Sequence, residues 1–327
     1  MTNVNEAFYE QLNEYGRQRT PCLFVIDFEQ QAPLLYPLDQ VDPTRLQYAF
    51  GARTNAVPRA TPSPLPELRV GEISLADYRR AFDIVQAGLR RGDSFLTNLT
   101  FPVPVELNGS LEQVFHAARA RYRLWLRDRF VCFSPETFVR IADNRIFSYP
   151  MKGTAPSDGR ETLLADPKER AEHATIVDLI RNDLSRVARR VLVEDYRYPE
   201  HLPASRPGGG GLWQTSSRIA GELSSDWQSG LGDLLAGLLP AGSVSGAPKP
   251  STVSIIRRAE RGDRGYYCGV AGLFDGIGLD SCVLIRFIEQ SVPTTHFFRA
   301  GGGITTRSEL TAEYREMHAK VLIPTSP

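Results

Sequence analysis

The amino-acid sequence predicts a mixed, largely antiparallel α/β protein. Three observations carry that expectation. Short β-branched and aromatic runs arrive in pairs between helical stretches, the helical stretches repeat apolar residues at three- and four-residue steps, and 42% hydrophobic content over 327 residues is ample to bury a core. A strictly doubly wound sheet would alternate strands and helices one for one. This order does not.

The elements follow in sequence. PCLFVIDF, at 21–28, reads as a buried strand, and the Pro-rich text from Ala56 to Glu67 as a loop. Residues 1–70 read as a short, strand-rich lead-in to one catalytic unit spanning 1–327. From Ser74 to Arg91, Leu75, Tyr78, Phe82, Val85 and Leu89 recur with helical spacing behind Ser74 as a cap. FLTNLTFPVPVEL, FVCF and RIFSYP resume strand character, Lys168 to Arg189 reads as a long helix, and RPGGGG at 206–211 as a loop. Leu231 to Leu239 is again helical. YYCGVAGLF, SCVLIRFIE and HFFRAGGGI are strands, and Ser308 to Leu322 closes the chain as a helix.

Composition excludes several function classes. Lysine plus arginine equals aspartate plus glutamate at 38 each, so no overall field favours nucleic acid or an anionic membrane. A small-molecule substrate is the better expectation. Cys22, Cys132, Cys268 and Cys282 are scattered, which indicates neither a zinc site nor a disulfide framework. The first residues lack a basic segment followed by an apolar stretch, and no apolar run is long enough to span a bilayer. A cytoplasmic location is expected.

Six features could carry chemistry. GSVSGAPKPS, from Gly242 to Ser251, suits a loop whose backbone amides bind an anion, but it is neither a phosphate loop of the Gly-Lys-Ser type nor a nucleophile elbow. By itself an ordinary turn is its commoner reading. AGGGI, at 300–304, could let backbone approach a ligand closely, although a plain strand-to-helix turn is favoured when it is taken alone. Arg286 lies in the apolar run VLIRFI and needs an anionic partner, a structural acid about as often as a substrate carboxylate. Glu172, Ile176, Leu179 and Asp183 share one helical line, so an acid on that face invites a cation. Glu309, Glu313, Glu316 and Lys320 share another, a pattern more often a solvated face. SPETF carries Glu136 and YPMKGT carries Lys152, each beside a strand end. A lysine so placed is normally just solvated, and becomes a nucleophile only where its surroundings supply free amine near neutral pH.

Taken together, SPETF, YPMKGT, AEHATIVDLIRNDLSRVA, LLPAGSVSGAPK, YYCGVAGLF, VLIRF, AGGGI and EYREMHAK resemble the chorismate-utilising enzymes, the family of anthranilate, aminodeoxychorismate, isochorismate and salicylate synthases. The match covers roughly the last three quarters of the chain. It implies an α/β sandwich of two antiparallel sheets enclosing helices, with chorismate and magnesium between the sheets. It implies Glu172 and Glu316, with Glu313 beside them, as the carboxylates around Mg2+. Glu136 takes the general-acid position. The backbone at Gly242, Ser243 and Ser245, with Tyr267, Arg286, Gly301, Gly302 and Gly303, would hold the substrate carboxylates, and Lys249 and Lys320 would add positive potential.

One position selects among the reactions. The anthranilate and isochorismate branches carry alanine where this chain has Lys152, whereas the branch that aminates ring C4 carries lysine. There the lysine first adds at C2 as the C4 hydroxyl departs, and ammonia then adds at C4 as the lysine leaves. The water-using branches carry a further lysine, a general base, in the segment resembling FLTNLT, which here has none. Two departures from the family pattern stand out: Gln214 replaces a customary histidine, and Phe287 follows Arg286 where threonine is usual. No tryptophan-feedback motif or glutamine amidotransferase segment is recognisable, so ammonia is expected from a separate glutamine amidotransferase subunit or from solution. Another chorismate reaction is the alternative, and a catalytically silent binding subunit a more distant one.

Overall fold

The computed structural model describes residues 4–57, 66–202, 210–292 and 294–325. Most of the expected loop at 56–67, and residues 206–209 of RPGGGG, lie outside the described residues. Two antiparallel sheets of nine strands each are built from the described residues, with helices packed against them. In the first sheet the order is Met151–Pro156, Leu212–Glu222, Arg145–Ser148, Thr137–Ala142, Leu279–Val283, Val270–Phe274, Cys22–Ile26 and Leu34–Pro37, with Arg189–Leu202 also paired to Leu212–Glu222. The second runs Gly246–Ala247, Leu96–Asn108, Thr295–Ile304, Phe287–Val292, Phe130–Ser134, Tyr122–Leu126, Leu46–Phe50 and Arg53–Thr54, with Glu67–Val70 on Leu96–Asn108.

Period-two alternation decides the two cores. Phe130 and Cys132 point into a core shared with the first sheet and with helices Val4–Gln18, Pro167–Leu184 and Leu231–Leu238. Val131 and Phe133, on the opposite face, pack with helices Leu75–Arg90, Leu111–Ala117 and Leu310–Ala319. The strand Phe130–Ser134 is therefore covered on both faces.

Several boundaries differ from the sequence expectation for identifiable reasons. The lead-in is not only strands, since Val4–Gln18 is a helix, and its strands Cys22–Ile26 and Leu46–Phe50 belong to the two main sheets. The long helix stops at Leu184 with Ser185 as its C-cap, and Arg189 already starts a strand. Gly242–Ser251 is not a free loop: Gly242–Ser245 is one helical turn, Gly246–Ala247 pairs with Leu96 and Thr97, and Lys249 opens a helix to Ala259. YYCGVAGLF is a strand only from Val270, because Gly265 to Cys268 form a turn with Cys268 at φ 62°.

The most consequential difference is at VLIRFI. It is two strands, not one: Leu279–Val283 lies in the first sheet, Phe287–Val292 in the second, and Arg286 turns between them at φ 53°. The chain makes a second such crossing between Phe130–Ser134 and Thr137–Ala142, where Glu136 sits. The crossings are bonded together, Val283 N–H to the Glu136 carbonyl at 3.1 Å and Phe133 N–H to the Arg286 carbonyl at 3.0 Å. Polar side chains thus stand at a seam where neither sheet's apolar pattern continues.

Arg264 secures that seam from behind. Its guanidinium is 1% exposed, pairs with Glu260 at 2.6 Å and donates to the carbonyls of Val244 and Asn98 at 2.7 Å each. Arg264→Met should cost about 3–5 kcal/mol of unfolding free energy, because Glu260 would be left buried without its cation. Chemical denaturation checks this, and adding Glu260→Gln should recover part of the loss.

Candidate active site

Two groups of side chains meet at Lys152. The first gathers on the crossings. Ser243, in the turn Gly242–Ser245, donates its hydroxyl to Glu136 Oε1 in a short contact. Burial raises the Glu136 carboxyl above its ordinary value, and the Ser243 bond and the charges of Arg286 and Lys152 only partly offset this. Burial likewise depresses the Arg286 guanidinium, opposed by Tyr267 and Glu136. The buried Tyr267 and Glu136 are the groups of the protein whose charges act on Arg286. Glu136, Gly242 and Ser243 line one cavity that extends to Tyr149 and Asp183.

The second group gathers two helices against the glycine strand. Lys152 Nζ lies 3.5 Å from Glu172 Oε2, and Lys168 Nζ lies 3.8 Å from Glu172 Oε1. Lys320 Nζ bonds Glu316 at 2.8 Å and donates to the Gly301 carbonyl at 3.0 Å. A β-carbon built on Gly302 would stand 3.4 Å from Lys320 Nζ and 3.7 Å from Glu313 Oε2. One built on Gly303 would stand 3.3 Å from Lys152 Nζ and 3.0 Å from Leu96 Cδ1. The bare backbone of these residues is what leaves room for both helices' charges.

The last helix runs its acidic stripe along the glycine strand, with the Glu316 side chain still 59% exposed to solvent. Glu309 is only its N-cap, whereas Glu313, Glu316 and Lys320 look along Gly301–Gly303. Burial raises the Glu313 carboxyl, and the nearby charges of Glu316 and Glu172 raise it further against a bond to Ser308. At Glu316 burial would do the same, but Lys320, Lys152 and Lys168 outweigh it and hold the carboxyl low. Lys320 is depressed by burial, with Glu316 opposing.

The strand bearing Lys152 explains its aim. Lys152 pairs with Thr215, and the register then slips at Gly153, which adopts φ 76°. Such a bulge turns the side chain out of the regular alternation and toward the helix. A side chain at Gly153 would be strained by that φ and would displace the Glu169 carboxylate, whose Oε2 would lie 2.5 Å from the β-carbon.

Other expected residues sit apart from this meeting point. Lys249 bonds Asp183 at 2.9 Å and the Leu238 carbonyl at 2.7 Å, so its charge is committed to the helix line that invited a cation. Burial pushes both partners toward their neutral forms. The Ser245 hydroxyl is fully buried and bonds the Ala241 carbonyl at 2.8 Å. Gln214 contacts Ser216 Oγ at 3.4 Å on the far side of the Gly153 slip.

Glu169 and His173 are additions that sequence reasoning passed over. Glu169, raised by burial and then by the Glu172 charge, lies one turn before Glu172. The signal was present, since Glu169/Glu172 and Glu313/Glu316 repeat the same three-residue spacing on two helices. His173 is fully buried beside the Lys152 backbone, and burial followed by the Arg197 charge takes its imidazole down to about 4.

The carboxylates also bear on metal binding. No three His, Cys, Asp or Glu side chains among the described residues converge tightly enough to enclose an ion by themselves. Glu169, Glu172, Glu313 and Glu316 nevertheless supply only hard oxygen donors, and the charge of Glu172 acts to raise the carboxyls of both Glu169 and Glu313. That donor set fits magnesium, which retains several waters and takes few protein ligands.

The close approach at Gly303 has a measurable consequence. Gly303→Ala should reduce chorismate turnover by roughly tenfold or more by displacing Lys152 and Leu96. Thermal unfolding should change little, as Gly303 has no positive φ to strain. Unchanged turnover would mean that the lysine's position there is immaterial.

Known proteins resemble this chain in both sequence and fold. Residues 24–325 match the chorismate binding enzyme family. The chain is 50% identical over 322 residues to an uncharacterised PabA-like protein of Pasteurella multocida, covering 97% of this chain and 98% of that one. It is 31% identical over 316 residues to aminodeoxychorismate synthase component 1 of Klebsiella aerogenes, covering 91% of this chain and 67% of that protein. The solved structure of a putative 2,3-dihydroxybenzoate-specific isochorismate synthase from Bacillus anthracis shares the fold, with a TM-score of 0.73 at 21% identity over 97% of this chain and 88% of that one. By sequence and by fold, this chain belongs to the chorismate-binding enzymes.

Proposed function

We propose that the protein aminates chorismate at ring C4 to give 4-amino-4-deoxychorismate, with Lys152 as covalent nucleophile. One observation carries the reading: Lys152 Nζ reaches into the cleft between the helical acids, 3.5 Å from Glu172 and facing Gly303. In the first step the lysine nitrogen forms a bond to C2, both conjugated ring double bonds shift, and the C4–oxygen bond breaks. Glu136, whose carboxyl burial raises above its ordinary value, gives the departing hydroxyl its proton. In the second step ammonia bonds to C4 and the lysine leaves C2. Two allylic displacements return the substituent to the carbon that lost the hydroxyl.

The remaining residues bind and orient. Arg286, Tyr267 and the backbone at Gly242, Ser243 and Gly301–Gly303 receive the substrate carboxylates, and Lys320 adds positive potential. Glu172, Glu313 and Glu316 would hold magnesium, whose contribution is to neutralise a substrate carboxylate beside these acids. Lys249 and Ser245 serve the architecture of the turn, given their bonds to Asp183 and Ala241. Ammonia comes from a separate glutamine amidotransferase subunit or from solution. The segment FLTNLT, which resembles the one that carries a general-base lysine in the water-using branches, has no lysine, and this favours ammonia as the attacking species.

Product analysis tests the reading. Purified protein with chorismate, magnesium and ammonium should yield 4-aminobenzoate only when a suitable lyase is added, and chelation should stop turnover. Anthranilate or isochorismate as the main product would overturn it.

A further inference from the structure

Behind Lys152 runs a buried polar chain that the reaction does not use. The Arg197 backbone N–H donates to Ser217 Oγ at 2.8 Å, and Ser217 Oγ lies 2.6 Å from His173 Nε2. On the other side of the ring, Nδ1 lies 3.4 Å from Thr215 Oγ1. Thr215 Oγ1 itself donates to the Lys152 carbonyl in a short contact. His173, Thr215 and Ser217 are all fully buried.

Proton counting fixes the direction of the chain. Thr215 has a single hydroxyl hydrogen, which is given to the Lys152 carbonyl. The side of the ring at Nδ1 therefore meets only acceptors, so Nδ1 carries the imidazole hydrogen and Nε2 accepts from Ser217. The clamp closes on the residue just before the register slip, where the positive φ of Gly153 redirects the strand. Glu172 and His173 are consecutive on one helix, and they act on the two ends of the same lysine, Glu172 on its ammonium and His173, through Thr215, on its carbonyl.

We propose that His173, as its Nδ1–H tautomer, is a positioning residue that holds the Lys152 backbone in the bulge and so aims the amine into the cleft. This deepens the reading above, resting on Lys152 only for the rate it predicts. The opposite ends of the imidazole can be mimicked separately, because asparagine sets its amide nitrogen near Nδ1 and glutamine near Nε2. His173→Asn should keep kcat within about threefold, while His173→Gln should lose roughly thirtyfold with the chorismate KM changed less than about twofold. Thr215→Val should lose kcat to a similar extent. Equal impairment of the Asn and Gln variants, or better activity in the Gln variant, would overturn the proposal.

Nitrogen-15 NMR of the wild-type imidazole supplies a measurement that needs neither a variant nor activity. Hydrogen on Nδ1 is expected, and hydrogen on Nε2 overturns the proposal. If the wild type makes no aminated product, the functional reading fails, and the ring's tautomer and the Asn/Gln comparison in whatever chorismate conversion the protein performs still decide the role of His173.

Discussion

Lys152→Ala is expected to abolish C4 amination, lowering product formation by at least roughly a thousandfold, while chorismate still binds. The side chain stands at the cleft and contributes nothing to either apolar core, so the fold should survive its removal. Its backbone would still be held by Thr215. Lys152→Arg sharpens the test, since it preserves the charge next to Glu172 but offers a guanidinium that does not deprotonate near neutral pH. If attack is covalent, both variants are inactive. If the lysine only balances charge, Lys152→Arg retains substantial activity and the covalent step must be abandoned. Calorimetric titration with chorismate separates lost binding from lost chemistry.

The second large effect concerns Glu136, where stability and catalysis should move in opposite directions. Glu136→Gln should lower kcat by roughly a hundredfold to ten-thousandfold, because the amide cannot protonate the leaving hydroxyl. It should also stabilise the protein near neutral pH. Burial raises the carboxyl in the folded state above its ordinary 4.5, so between those two values the folded chain binds the proton more tightly than the unfolded one. Native stability therefore falls as pH rises through that window, and above it the ionised acid costs stability that glutamine does not. The thermal midpoint of the variant should exceed that of the wild type at pH 7 to 8, with the gain shrinking as pH drops toward about 4. A midpoint difference that does not depend on pH would mean that Glu136 ionises normally.

These predictions converge on how the cleft manages charge. Arg286, Lys152 and Lys320 lie close enough to influence one another's neighbours, and burial works against the charged forms of Arg286 and Lys320. A dianionic substrate entering such a site meets cations whose solvation has already been reduced, which strengthens each contact it makes. The carboxylates on the two helices face the opposite problem, and the lysines between them act as internal counter-ions.

Part of this was readable directly from residue order. Helical spacing located Leu75–Arg90 together with its Ser74 cap, whose hydroxyl accepts from Asp77 N–H. The apolar run at Cys22–Ile26 and the pairing of strands foretold antiparallel sheets. The wording around Glu136, Lys152, Glu172 and Glu316 pointed to chorismate chemistry before any coordinate was known. VLIRFI misled because its apolar run is continuous while its backbone is not: hydrophobic pattern records burial, and both sides of the crossing are buried. The stripe Glu313, Glu316 and Lys320 misled for the complementary reason, since a helix face lining a wet cleft has the same composition as one facing bulk solvent.

Sequence by itself determined which chemical groups are available and which local elements carry them, because spacing along a chain fixes helix faces, strand alternation and family wording. Only the tertiary structure decided which groups meet. Glu136 and Arg286 lie 150 positions apart and become neighbours through two sheet crossings bonded to one another. Lys249 is paired with Asp183, and His173 joined Lys152 through Thr215. Such partnerships depend on long-range packing and on satisfying buried polar atoms, and no local pattern in the chain encodes them.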